Sequence, residues 1–211
     1  MRTLLAAVLA LALAAGCAAL NPKPSDRPNL YSLAQAGESG EPAALASSMA
    51  RPRASSTAHT LVVAPPHAAA GFDSRRMIYL RQADKPEYFA HNEWIDTPAR
   101  MLAPLIVGAV SRSGAFRAVV ATPSPASGEI RLDTEILRLQ QDFTTTPSRV
   151  RFTLRATLVE NATRRVIDTR EFDAVVPAAS EDPHGGVVAA SKAVRTVLDE
   201  LAAFCAARVR G

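Results

Sequence analysis

The chain is short of aromatic residues, lysine, histidine and cysteine. Its 211 residues include one Trp, three Tyr, seven Phe, four His and two Cys. Lys23, Lys85 and Lys192 are the only lysines among 24 basic residues. Two cysteines cannot build a disulfide-dense scaffold. His59, His67, His91 and His184 show no helical pair spacing and no CxxC companion, so no metal site is expected. There is no GxSxG for an activated serine. Gly185-Gly186 alone is too little for a phosphate cradle, and the helix it precedes gives it a structural use. The formal charge of +4 falls by one when Arg2 is removed with residues 1–16. That excess is too small to argue nucleic-acid binding. The near-exclusive use of Arg, beside abundant Ala and Pro, fits a GC-rich bacterial genome better than a selected basic surface.

The N-terminus is distinctive. Met1 and Arg2 give a positive start, and Leu4 to Ala15 is an unbroken run of Leu, Ala and Val. The run is too short to span a bilayer as a helix, and its order is that of a secretory signal. No later run approaches spanning length. LALAAGC resembles a bacterial lipobox, which implies cleavage between Gly16 and Cys17 and a lipid on Cys17. It departs from the usual pattern in placing Leu13 four residues before the Cys. Acyl chains contribute about 0.8 kcal/mol per buried methylene, and stable anchoring takes more than one chain. Ala18, where Asp would favour the inner membrane, points by analogy to the outer membrane.

Residues 17–30 read as a Pro-rich tether, and 31–211 as one domain. Residues 36–56 are small, polar and Pro-broken, a loop expected to be mobile. Short strands are expected at Tyr31–Leu33, His59–Pro65, Arg75–Leu80, Pro86–His91 and Phe116–Ala121, with a tight turn at Ala83-Asp84 making a hairpin. Thr97 before Pro98 predicts a helix N-cap, with Pro at the first helical position. Met101, Leu102, Leu105, Ile106, Ala109 and Val110 form its apolar stripe, Pro104 should bend it, and Gly114 suits its C-terminus. Residues 129–142 alternate until Leu137 and Leu139 break the phase, which predicts a bulge or twist near Ile136. Val150 to Leu158 and Arg165 to Val176 complete three long strands.

A last helix runs to about Arg208, with Val187, Ala190, Val194, Val197, Leu198, Leu201, Phe204 and Cys205 on one face. Burying its larger aliphatics would contribute on the order of 7–15 kcal/mol before entropy. Cys205 then behaves as a small buried hydrophobe. The expected fold is α+β: an antiparallel sheet with a long-strand meander, one face covered by two helices.

Two features invite a binding role. Arg149, Arg151 and Arg155 project opposite Val150, Phe152 and Leu154, either as a face balanced by Glu171 and Asp173 or as a contact for an acidic partner. Glu129, Asp133 and Glu135 alternate with Arg131, which fits cross-strand pairing better than acid–base chemistry. The second feature is aromatic: Tyr79, Tyr88, Phe89 and Trp94 fall within sixteen positions. Trp94 is expected to anchor the hairpin to the following helix, Tyr79 and Tyr88 being anchor or contact residues.

The ordered set Tyr79, Tyr88, Asn92, Trp94, Asp96, Pro98 and Met101 resembles the ABC-type transport auxiliary lipoproteins, with the paraquat-inducible protein C-like group nearest. The lipobox, Tyr31-x-Leu33, Gly114 to Phe116 and the Ala-rich last helix fit as well; the long 36–56 loop departs from the pattern. The resemblance implies a non-enzymatic protein without cofactor beyond the lipid on Cys17. Its partners would be a mammalian cell entry (MCE) protein and the ABC permease and ATPase of one lipid-transport system. It would dock the MCE assembly at the outer membrane, in some members as a ring of copies. The alternative is a lipoprotein that binds lipid or lipopolysaccharide itself, which would need an apolar groove between sheet and helices.

Overall fold

The computed structural model describes residues 27–33 and 59–209. The signal at 1–16, Cys17, most of the tether and the 36–56 loop fall outside them. Among the described residues the order is β1 (Asn29–Tyr31), β2 (Thr60–Val63), β3 (His67–Ala68), β4 (Arg76–Gln82), β5 (Lys85–Trp94), α1 (Pro98–Arg112), β6 (Ala118–Ala121), β7 (Ile130–Asp142), β8 (Arg149–Glu160), β9 (Val166–Pro177) and α2 (Pro183–Val209). Two residues assigned to the tether, Asn29 and Leu30, therefore belong to β1.

The three long strands form the expected meander, β7 antiparallel to β8 and β8 to β9. Strand β8 buries Val150, Phe152, Leu154, Ala156 and Leu158 and turns the residues between them outward. Strand β7 buries Ile130, Leu132, Thr134 and Ile136, and its register on β8 then slips between Ile136 and Arg138. The extra residue rephases the strand, so Leu139 and Gln141 point inward where strict alternation would expose them. The phase break visible in the sequence is this bulge.

The sheet as a whole is mixed, which corrects the antiparallel expectation. Strand β2 runs parallel to both β6 and β7, β3 and β4 run parallel to β7, and β1 runs parallel to β5. Among the described residues, β4–β5, β7–β8 and β8–β9 are the antiparallel pairs. Parallel neighbours are joined by crossovers: between β2 and β6 the chain passes through the β4–β5 hairpin and α1.

Thr97 is extended before Pro98, as the proline requires, but its side chain makes no capping bond. Its carbonyl accepts from the Met101 N–H at 3.1 Å, and its own N–H is bound by Asp96 Oδ1 at 2.8 Å. Helix α1 ends at Arg112, and Gly114 follows with φ +64°, a left-handed conformation that costs glycine little.

Helix α2 starts at Pro183, two residues before the glycine pair, and Asp182 caps it: Oδ1 accepts the Gly185 N–H at 2.7 Å. A Cβ on Gly185 would collide with Ser180, and one on Gly186 with the Gln141 side-chain amide. Gly186 thus lets the first turn of α2 lie directly on β7, and Gly185 lets the preceding loop fold back against it. All eight residues of its apolar stripe are buried. Helix α2 packs on β8 and β9, while α1 packs on α2 and β6. Both helices join one hydrophobic core with the inward residues of the long strands.

Candidate functional site: the outer face of the sheet

The helices cover one side of the long strands, so the outward residues of β7, β8 and β9 form a polar lattice. Its chemistry follows from the register. Glu135, Arg155 and Glu171 lie opposite one another on three adjacent strands. Arg155 pairs with both carboxylates at 2.8 Å. Arg151 donates Nε to Asp173 at 2.9 Å, and the Thr153 hydroxyl shares that carboxylate. Arg149 pairs with Asp142 across the β7–β8 hairpin at 3.3 Å. The arginine row is therefore balanced by neighbouring-strand carboxylates, Glu171 and Asp173 included. Asp173 is held below the usual carboxylate range, first by the Arg151 hydrogen bond. Arg151 is raised in turn by the same bond.

The other acidic candidates are engaged too. Arg131 pairs with Asp133 at 2.8 Å. Glu129 accepts from the Thr60 N–H at 2.7 Å and pairs with Arg117 at 3.1 Å. Its pKa is lowered chiefly by the Thr60 bond. Glu129 ties its segment to β2, and Asp133 is held by its neighbour on the same strand, so neither is a free carboxylate poised for proton transfer.

One guanidinium stands apart. Arg138, the first residue after the β7 bulge, lies opposite Thr153. It makes no ion pair with a described residue, although it is near enough to Asp173 to help lower its pKa. Arg138, Arg149 and Arg151 line a cleft of about 490 Å³ together with Gln140, Leu80 and Val175. Val175 is 46 % exposed. The sequence reading singled out Arg149, Arg151 and Arg155 but missed Arg138 and Gln140. The signal for them was the same phase break, since the slip at Leu137 puts Arg138 and Gln140 on the outward side.

The aromatic-rich stretch divides between environments. Trp94 is buried, 4 % exposed, at the end of β5. Its N–H donates to the Arg75 carbonyl at 2.8 Å and its carbonyl accepts from Arg75 Nε at 2.9 Å. It lies in register with Tyr31, and the next residue bonds back to the Tyr31 carbonyl. Trp94 thus sits where β1, β4 and β5 meet just before α1. Tyr79 belongs to a half-buried group with Phe89 and Phe143, ring centroids 4.5 and 5.8 Å away. Its hydroxyl donates to Glu87 at 2.9 Å, and this bond is the main reason its pKa is raised. Tyr88 turns the other way, 44 % exposed, with the Arg76 guanidinium 5.0 Å from its ring centre.

Between sheet and helices the side chains are closely packed. A cavity of about 20 Å³ beside Trp94, Gln141 and Gly186 is lined also by Met77, Phe89 and Ala190. That is room for about one water, and the Gln141 Oε1 there has no partner. Cys205 is fully buried in the same core, and burial pushes its thiol up to about 12, which makes it inert at neutral pH.

Comparison with known proteins places this geometry. Protein XCC0632 from Xanthomonas campestris, a DUF330 protein, superposes with a TM-score of 0.68 at 20 % identity, covering 85 % of this chain and 96 % of that one. An uncharacterized protein of known structure superposes at 0.64 with 11 % identity, covering 85 % and 99 %. Both likenesses concern the fold. Curated proteins give no match. Residues 44–202 match the family described as the ABC-type transport auxiliary lipoprotein component. That span takes in the strands from β2 onward and most of α2, and the chain belongs to this family.

Proposed function

We propose that the chain is a membrane-anchored, periplasmic accessory lipoprotein of an ABC/MCE-type lipid-transport system. In this reading it is held by a lipid on Cys17 to the inner leaflet of the outer membrane, and it docks the MCE component of its own transporter without catalysing a reaction. The family match over residues 44–202 carries the proposal. The Gly16-Cys17 sequence supplies the attachment point. The carboxylates tied up between strands support a scaffold role over an enzymatic one. Direct carriage of lipid between sheet and helices is less well supported, because a packed core with a cavity of about 20 Å³ occupies that space.

Two measurements test the proposal. Labelled palmitate should enter the wild-type chain and not Cys17→Ser, and the labelled protein should fractionate with the outer membrane. Affinity capture of the tagged chain from detergent extracts should bring down an MCE protein. Recovery of the chain alone, under conditions that preserve other envelope complexes, would contradict the docking role.

A further inference from the structure

Among the described residues five large hydrophobic side chains are strongly exposed: Leu30, Tyr88, Ile95, Val166 and Val175. The two valines stand apart on β9. The other three gather at one corner, where β1 meets β5. Leu30 lies in register with Glu93, and Tyr31 with Trp94. Trp94 and Tyr31 turn toward α2: Trp94 lines a cavity with Gly186 and Ala190, and the Tyr31 ring lies 6.5 Å from that of His184. Alternation therefore sends Leu30, Glu93 and Ile95 to the side away from α2. The Ile95 N–H donates to the Tyr31 carbonyl at 2.7 Å, which keeps Ile95 beside β1. Arg76 is the β4 partner of Glu93 and holds its guanidinium 5.0 Å from the centre of the Tyr88 ring. The nearby carboxylates are occupied, Glu93 by Arg75 at 3.6 Å and Asp96 by Arg100 at 3.1 Å. The corner presents two aliphatics, one amphipathic aromatic and a border of guanidiniums.

Three such side chains fall well short of the roughly 800 Å² per partner that a stable protein interface buries. A surface this small holds a partner only where something else keeps the two together, and the chain connectivity does that here. Strand β1 follows directly on the tether. Arg27, the first described residue, is ten steps from Cys17, a reach of at most about 35 Å. A lipid on Cys17 would hold this corner at the bilayer surface before any other part of the domain, at the high effective concentration of a short tether. The residue types suit a headgroup layer. Aliphatic tips reach the acyl boundary, Tyr sits among the headgroups, and Arg stems lie along apolar surface while their guanidiniums meet phosphates.

We propose that the corner of Leu30, Tyr88 and Ile95 rests on the headgroup layer of the membrane that carries the anchor. The contact fixes how the domain stands on the bilayer: the outer side of the β1–β5–β4 segment faces the lipid, and α2 is turned away. It is a contact with the membrane surface and holds no transported molecule. The inference rests on the anchor at Cys17 and is independent of MCE docking.

The test uses the full-length lipoprotein reconstituted in vesicles of phosphatidylethanolamine and phosphatidylglycerol. Ser32→Cys, exposed next to β1, carries an environment-sensitive fluorophore, while the acylated Cys17 and the buried Cys205 stay unlabelled. Thr196→Cys, exposed on α2, is the control. Doxyl-labelled phospholipid should quench the Ser32 probe and spare the Thr196 probe, and aqueous iodide should do the reverse. Leu30→Asp combined with Ile95→Asp should bring lipid quenching at Ser32 down to the control level while the chain still floats with the vesicles. Val166→Asp should change neither. Both corner sites are exposed, so folding should survive, which circular-dichroism melting checks. Equal lipid quenching of the two probes on a chain that floats overturns the contact and leaves the anchor intact. A chain that does not float overturns the anchor and the contact together. A Ser32 probe shielded from iodide yet untouched by the lipid quencher gives the corner to a second copy or another protein, against the inference. Unchanged quenching in the Leu30→Asp, Ile95→Asp variant also counts against it.

Discussion

Trp94→Ala removes the only tryptophan of the chain from the hydrophobic core. The indole is 4 % exposed and already borders a void of about 20 Å³ lined by Met77, Phe89, Leu139, Val150 and Ala190. Truncation would merge the vacated volume with that void. Collapse is restricted because the Trp94 backbone is pinned on both sides by Arg75 and its neighbour by Tyr31. Removing a large buried aromatic under such conditions costs about 3–5 kcal/mol. For a domain of this size each kcal/mol lowers Tm by roughly 2–4 °C, so the loss should be about 6–20 °C. The assay is a circular-dichroism melt of the full-length chain in detergent, with Trp94→Phe as a milder variant that should lose markedly less. A Tm for Trp94→Ala within about 2 °C of wild type, accompanied by loss of partner capture, would refute the anchor role and make Trp94 a contact residue.

Gly186→Ala forces a methyl group against the Gln141 amide and should cost about 1–3 kcal/mol; in the Gln141→Ala background a urea melt should show a smaller penalty. Gln141 donates to Ser148 and to the Asp182 carbonyl, so equal penalties in both backgrounds would mean that the close approach is not what excludes a side chain. The carboxyls of Glu129, Asp142, Asp168, Asp173 and Asp182 are all depressed in the folded state. Groups with depressed folded pKa stabilise above their unfolded values and lose that contribution as pH falls through the folded ones. Tm should therefore be flat with respect to these groups above about pH 4.5 and fall below about pH 4, while Asp182→Asn should start lower and fall less steeply. Cys205 should resist iodoacetamide at pH 8 in the native chain and react after denaturation, read by mass spectrometry of its peptide; rapid native labelling would contradict its burial.

Much of the local structure was legible in the sequence because it depends on short-range periodicity. Alternation from Val150 to Leu158 matches the buried face of β8 residue for residue. The phase break at Leu137 and Leu139 announced the bulge. Pro98 marked the start of α1, and the stripe from Val187 to Cys205 marked the buried side of α2. Thr97 was less informative: its type favours a side-chain cap, but the Asp96 carboxylate takes its N–H and its own carbonyl does the helix bonding. Strand β3, two residues long, carries too little pattern to be read.

Strand direction was not legible. Alternation reports which side of a sheet a residue faces, and it is the same in parallel and antiparallel pairs. The pairings of β2 with β6 and β7, and of β4 with β7, join segments far apart in sequence. The outer cleft was hidden for a related reason. Its walls come from β4, β7, β8 and β9, and only pairing brings Leu80, Arg138, Arg151 and Val175 together.

By itself the sequence determined the inward face of β8, the buried stripe of the last helix, and the ordered residues that carry the family resemblance. All are properties of neighbouring residues, set by side-chain type and by the 2.0 and 3.6 periods. The tertiary structure decided which arginines of the long strands find carboxylates, that the aromatic stretch is split between core and surface, and that the sheet is mixed. Those outcomes depend on non-local register, where a shift of one residue exchanges the core face for the solvent face.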